Sequence, residues 1–134
     1  MTKKDWAISI IKEFKLLSDA KYLHEIWIKG SNTYSAGYYE EICVIYDDLL
    51  FESKFLIEAQ NFGFSKPLLD CLNEVNRALN DFDGSYILPS QLLKEPKWIK
   101  CMNILGKTAL MLENEIDKVP EIPINQPCIK TREK

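Results

Sequence analysis

The sequence predicts an all-α fold: a four-helix, bundle-like single domain over residues 1–118, followed by an extended, proline-containing C-terminal segment over 119–134. Three observations predict it. Apolar residues recur at helical spacing in four long segments. No segment alternates apolar and polar residues for long enough to form a strand; residues 86–88 come nearest and are too few. With 134 residues, the chain can build one real core and is too short for two ordinary domains.

Helix 1 is expected from about Lys3 to Leu17. Trp6, Ile10, Phe14 and Leu17 make one face, widened by Ile11. Tyr22, Leu23, Ile26 and Trp27 keep the spacing, so the helix is expected to continue to about Ile28, with a break near Ser18-Asp19. Gly30, followed by Ser31-Asn32-Thr33, stops it.

Helix 2 is expected to be the longest, from about Ser35 to Asn61. Ser35 can cap its first turn, and Glu40 and Glu41 suit the positive end of its dipole. Ile42, Ile45, Leu49 and Leu56 share one face. Tyr38, Tyr39, Cys43, Tyr46, Leu50, Phe51, Phe55 and Ile57 make much of the rest apolar too. A helix apolar on more than one side is central to a bundle or buries a second face in a partner. Gly63 is the expected left-handed cap after it.

Helix 3 opens on Ser65 as N-cap, with Pro67 in its first turn. Leu68, Leu72, Val75, Leu79 and Phe82 follow at helical spacing until Asp83-Gly84-Ser85 closes it. Residues 86–93 connect, with one short helical turn over 90–93. Helix 4 starts at Glu95-Pro96 and runs to about Lys118. Its stripe of Trp98, Met102, Leu105, Ala109, Leu112 and Ile116 is the most regular in the chain. Gly106 costs about 1 kcal/mol relative to alanine there, which a close helix crossing would justify. Beyond Val119, Pro120, Pro123 and Pro127 forbid helix and central strand. This tail is expected to be extended, either packed along the bundle through Ile122, Ile124 and Ile129 or disordered.

Composition narrows the function classes. A net charge of -3 and a pI near 5.2 argue against nucleic acid as a partner. No apolar run is long enough for a membrane span, and Lys12, Glu13 and Lys15 cut the first apolar stretch too short for a signal peptide. Cys43, Cys71, Cys101 and Cys128 are 28, 30 and 27 residues apart, with no Cys-x-x-Cys pair. They read as reduced thiols of a cytoplasmic protein rather than as zinc ligands.

Candidate chemistry is sparse. His24 is the single histidine and has only Glu25 beside it, which suits a surface or cap residue better than a catalytic one. Asp81-Phe82-Asp83-Gly84 resembles part of a calcium loop, yet the ligand positions at its two ends are Leu79 and Ser90. No glycine-rich phosphate loop exists, and the carboxylates of helix 2 lack the Glu-x-x-His partners of a di-iron bundle. The expectation is a protein that is not an enzyme, with no catalytic residues, no metal and no cofactor.

Charge is distributed unevenly. Residues 1–30 carry a net +2, residues 31–64 a net -5, residues 65–90 a net -2 and residues 91–134 a net +2. Helices 2 and 3 thus concentrate negative charge beside tyrosines. On a continuous helix Glu41, Asp48 and Glu52 share a face. Such a face fits a docking surface for a basic protein: carboxylates steer the encounter and aromatic rings anchor it. The expected partner-binding residues are Tyr38, Glu41, Tyr46, Asp47, Asp48, Glu52, Asp70 and Glu74.

The segment Leu92-Leu93-Lys94-Glu95-Pro96-Lys97-Trp98-Ile99, followed by Ala109-Leu110 and Leu112, carries a resemblance. An acidic residue, then Pro, one residue and Trp opening a last amphipathic helix resembles the ending of small bacterial helical immunity proteins. These belong to contact-dependent growth inhibition and other polymorphic toxin systems. The resemblance covers about 25 residues, and Lys100 or Cys101 stands where an arginine is frequent in that helix. It implies an immunity protein that binds and neutralises a cognate toxin domain, often a basic nuclease, and it assigns no binding residue. Two alternatives stay open. One is a homo-oligomeric helical adaptor, a homodimer included, that uses the apolar excess of helix 2. The other is a small ligand-binding helical regulator with a polar pocket.

Overall fold

The computed structural model describes residues 1–25, 36–83 and 87–123. They are mainly helical, with an isolated bridge and no strand among the described residues. The all-α reading of the sequence holds. In chain order the helices are α1 (Lys3–Ser18), α2 (Ala20–Leu23), α3 (Ala36–Cys43), α4 (Leu56–Ala59), α5 (Lys66–Asn80), α6 (Pro89–Leu92) and α7 (Pro96–Asn114). Two π-helical turns, Val44–Asp48 and Phe51–Phe55, join α3 to α4, and a 3-10 turn, Ile116–Lys118, follows α7.

α1 begins with a capping box. The Thr2 hydroxyl accepts from the Asp5 amide at 3.1 Å, and the Asp5 carboxylate accepts from the Thr2 amide at 3.1 Å. The helix ends where expected, because Asp19 leaves helical geometry. Its carboxylate then accepts from the amides of Lys21 and Tyr22, which starts α2. The continuation of helix 1 from Ile26 to Ile28, the Gly30 stop and the Ser35 cap lie outside the described residues.

α7 packs along α1 on one side and α5 on the other. The stripes predicted for these three helices are buried: Trp6, Ile10, Phe14 and Leu17 from α1, Leu68, Leu72, Val75 and Leu79 from α5, and Trp98, Leu105, Ala109 and Leu112 from α7. Gly106 meets α1 closely. A Cβ there would lie 3.3 Å from the Cβ of Ser18, so the glycine permits the crossing. Sulfur contacts also link α5 to α7: Cys71 Sγ lies 3.6 Å from Met111 Sδ, and Cys101 Sγ donates to the Ala78 carbonyl at 3.6 Å. Cys43, Cys71 and Cys101 are free thiols. Burial pushes the Cys101 thiol up to about 11, so it stays protonated. Ser65, the N-cap of α5, donates its amide and hydroxyl to the Glu115 carboxylate just past α7.

The expected helix 2 is not continuous. After Cys43 the hydrogen bonding widens to i→i+5, with the Leu49 amide donating to the Val44 carbonyl at 2.8 Å. Leu50 then takes a left-handed conformation, φ 52°. A second wide turn follows, in which the Phe55 amide donates to the Leu50 carbonyl at 2.9 Å. Ile45, Phe51, Phe55 and Ala59 are all fully buried. Phe51, Phe55 and Ala59 are in phase at four-residue steps, but Ile45 precedes Phe51 by six. At about 100° per residue, six residues put two side chains about 120° apart around a straight helix. On a straight helix these two would stand at the opposite edges of the buried stripe, and the break at Leu49-Leu50 changes their phase.

The tail also differs from expectation. Val119 is buried, but Ile122 is 49% exposed. Backbone, not the Ile122 side chain, holds this segment. The Lys3 amide donates to the Ile122 carbonyl at 2.8 Å, and Thr2 forms an antiparallel bridge with Pro123. Ile124 and Ile129 lie outside the described residues.

Candidate functional site

The break that rephases the core also sets the surface. Trp6, buried on α1, donates its indole N–H to the Leu49 carbonyl at 2.6 Å and packs edge-on against Phe55 at 5.2 Å. Phe14 meets Phe51 at 5.4 Å. With Phe51 and Phe55 drawn inward, the residues beside them point out. Tyr46 and Glu52, which flank the break, both meet α5.

That meeting is a hydrogen-bonded network. The Tyr46 hydroxyl donates to Asn76 Oδ1 at 2.9 Å. Asn76 Nδ2 donates to Glu52 Oε2 at 3.0 Å. Asn80 Nδ2 lies 3.4 Å from the same Glu52 oxygen and 3.3 Å from Asn76 Oδ1. Two asparagines one helical turn apart on α5 thus hold the Glu52 carboxylate in place. Asn76 and Asn80 continue into an open groove of about 650 Å³ along α5, lined by Asp70, Asn73, Glu74, Asn76, Arg77, Asn80 and Asp81. Asp70, Glu74 and Asp81 are exposed, and Arg77 is the cation among the lining residues. Lys66 reaches Asp70 at 3.5 Å, a surface pair that contributes little. Carboxylates and carboxamides in one groove accept from ammonium and guanidinium groups, while the amide N–H groups donate to carbonyls.

Four of the expected partner-binding residues therefore meet on one face: Tyr46, Glu52, Asp70 and Glu74. Asp47 and Asp48 are exposed on the neighbouring π turn. The side chain of Tyr38 lies outside the described residues. Glu41 departs from the shared face expected with Asp48 and Glu52, because the helix that would align them is broken. It is half-buried on α3 and faces Glu13, which is 9% exposed on α1.

Two adjacent carboxyls in an apolar setting cannot both ionise cheaply. Burial, reinforced by the charge of Glu41, pushes the Glu13 carboxyl up to about 7. Burial and the nearby Glu40 raise Glu41 too, while a hydrogen bond from Glu13 acts the other way. Burial, then the charges of Glu41 and Glu13, also raise the Tyr22 hydroxyl.

Sequence reasoning missed Asn73, Asn76, Asn80 and Asp81. Their spacing of three, four and one residues on α5 was a signal, since it lines one helix face with polar groups opposite the Leu68–Leu79 stripe. It also missed Glu13, which lies three residues after Ile10 and four before Leu17 on the buried side of α1. His24 is exposed at the end of α2. Among the described residues no cluster of three or more His, Cys, Asp or Glu is placed to hold a metal ion. No helix among them is long and apolar enough to cross a membrane. No protein-family model, no curated protein and no solved structure matches the chain.

Proposed function

We propose that this chain is a cytoplasmic immunity protein that binds a basic toxin domain and occupies its active surface without covalent chemistry. The observation that carries the reading is the fixed polar face of Tyr46, Asn76, Glu52 and Asn80, continuous with the carboxylate-lined groove of α5. Holding Glu52 in advance lowers the ordering cost of binding, and exposed Asp47, Asp48 and Glu74 add long-range attraction for a cationic surface. The resemblance of the Glu95-Pro96-Lys97-Trp98 helix start to immunity proteins of polymorphic toxin systems agrees with it.

The self-association alternative has less to draw on among the described residues. The apolar excess of residues 42–59 goes into the core through Ile45, Phe51, Phe55 and Ala59, leaving Ile57 as the large apolar side chain exposed there.

The test takes as candidate partner any toxin domain that a neighbouring gene encodes. Co-expression should rescue growth, and the triple reversal Asp48→Lys, Glu52→Lys and Glu74→Lys should abolish rescue while the thermal midpoint stays within a few degrees. Association of the purified proteins should slow by about tenfold or more at low salt. Undiminished association by the triple variant removes the acidic face from the mechanism. Failure of the wild type to rescue removes the immunity reading.

A further inference from the structure

On the side of α7 away from α5, the surface carries an apolar seam between two walls of opposite charge. Lys4, Ile8, Lys12 and Lys15 recur at steps of four, four and three, so they share a face of α1 outside its core stripe. Ile8 and Ile11 meet Ile116 in an open groove of about 360 Å³, which Lys12, Lys15 and Glu113 also line. One wall is the lysine side of α1. The other is acidic: Glu113 near the end of α7, Asp117 in the 3-10 turn and Glu121 just beyond it.

Ion pairs cross from wall to wall and mark matching levels. Lys15 meets Glu113 at 2.5 Å, and Lys4 lies 3.8 Å from Asp117 and 3.9 Å from Glu121. Ile8 and Ile11 fall between these two levels along α1. The second pair of contacts is loose, since the Asp117 side chain is 99% exposed and that of Glu121 72%. Lys12 is exposed and makes no ion pair among the described residues. Apolar exposure concentrates on the same side. Ile8 and Leu16 are exposed on α1, Met1 at its start, and Ile122 on the segment bridged to that start. An exposed apolar patch rimmed by charge marks an interaction surface.

A wall of each sign on either side of an apolar seam is complementary to itself. A two-fold axis laid along the seam keeps every level and exchanges the walls. The lysines of one copy then face the carboxylates of the other, and the isoleucines meet on the axis. A uniformly acidic or basic partner would be repelled by one of the walls. We propose that this face is a self-association surface: a second copy of the chain docks on Ile8, Ile11 and Ile116, with Lys12 of each copy set against Glu113 of the other. The surface lies on α1, apart from residues 42–59, whose apolar side chains go into the core. It leaves the groove of α5 open on the far side of α7, so a dimer would present two acidic faces. The stretch from Lys4 to Lys15 is only about 17 Å long, which places the interface at the small end and the Kd at about 10–100 µM.

Sedimentation velocity on the full chain at low salt, from about 5 to 500 µM, tests this. The weight-average sedimentation coefficient should rise from that of a monomer towards that of a dimer, and the rise should shrink as salt is added. Ile8→Glu should remove it. Lys12→Glu and Glu113→Lys, both at exposed side chains, should each weaken association by about tenfold or more, because each sets like charges across both halves of the interface. An equimolar mixture of those two variants should associate again, since a mixed pair restores opposite charges on both sides of the axis. A wild type that stays monomeric at 500 µM overturns the proposal. So does association of Ile8→Glu equal to the wild type, or a mixture no stronger than its separate components. None of these readings depends on toxin binding.

Discussion

The α1–α7 pair and the more apolar segment from α3 to α4 solve different problems. In α1 and α7 most of the apolar residues form one stripe, which a straight helix buries at once, leaving Ile8, Leu16, Ile99 and Leu110 exposed. In residues 42–59 apolar residues surround the helix, and on a straight helix Ile45 and Phe51 would stand about 120° apart. The chain there gives up regular hydrogen bonding at Leu49-Leu50, takes two wide turns and sends Leu50 left-handed. Where the pattern is unambiguous, local periodicity decides the backbone. Where it is overloaded, tertiary packing decides it. The polar residues beside the break, Tyr46 and Glu52, are then delivered to α5.

The comparison breaks most visibly at Phe55. Its fully buried ring touches Trp6, Phe51 and Phe62. Phe55→Ala should cost about 3–5 kcal/mol by chemical denaturation. Leu105→Ala, in the regular half, should cost about 2–4 kcal/mol. A Phe55 cost below about 2 kcal/mol would mean that the broken segment is not a full part of the core.

Next comes the bond that fastens the break. Trp6→Phe keeps an aromatic ring but leaves the Leu49 carbonyl without its indole donor. A loss of about 2 kcal/mol is expected from the unpaired carbonyl and the smaller ring. Amide exchange should rise first over residues 49–55, before α7 responds. Uniform loss of protection across both regions would show that the break needs no such fastening.

These two residues also mark how far the sequence could be read. Trp6 and Phe55 were legible as core or helix-surface apolar groups from spacing alone, and the stripes of α1, α5 and α7 emerged nearly residue for residue. The break was not legible, because it is the Trp6–Leu49 contact, 43 residues apart, that occupies the freed carbonyl. The site was legible in part for the same reason. Asp70 and Glu74 sit on a regular helix, where spacing predicts the exposed face. Glu41 sits before the break, and an unbroken helix wrongly aligns it with Asp48 and Glu52. Its actual neighbour, Glu13, belongs to another helix, and a single sequence carries no signal for that pairing.

The smallest effect gives the sharpest contrast, and it lies in Leu50. A left-handed conformation costs a branched residue roughly 1 kcal/mol, a cost that glycine escapes. Leu50→Gly loses a half-buried side chain worth about 1 kcal/mol and recovers about the same amount from the backbone, so its net change should lie near zero. Leu69 is equally half-buried but sits inside α5. Leu69→Gly loses the same burial and adds a helix penalty of about 1 kcal/mol, giving a cost of about 2 kcal/mol. Denaturation midpoints of the two variants should therefore separate clearly although the chemical change is identical. Equal costs would mean that Leu50 carries no strain, and that the wide turns on either side of it, rather than the residue itself, absorb the change of phase.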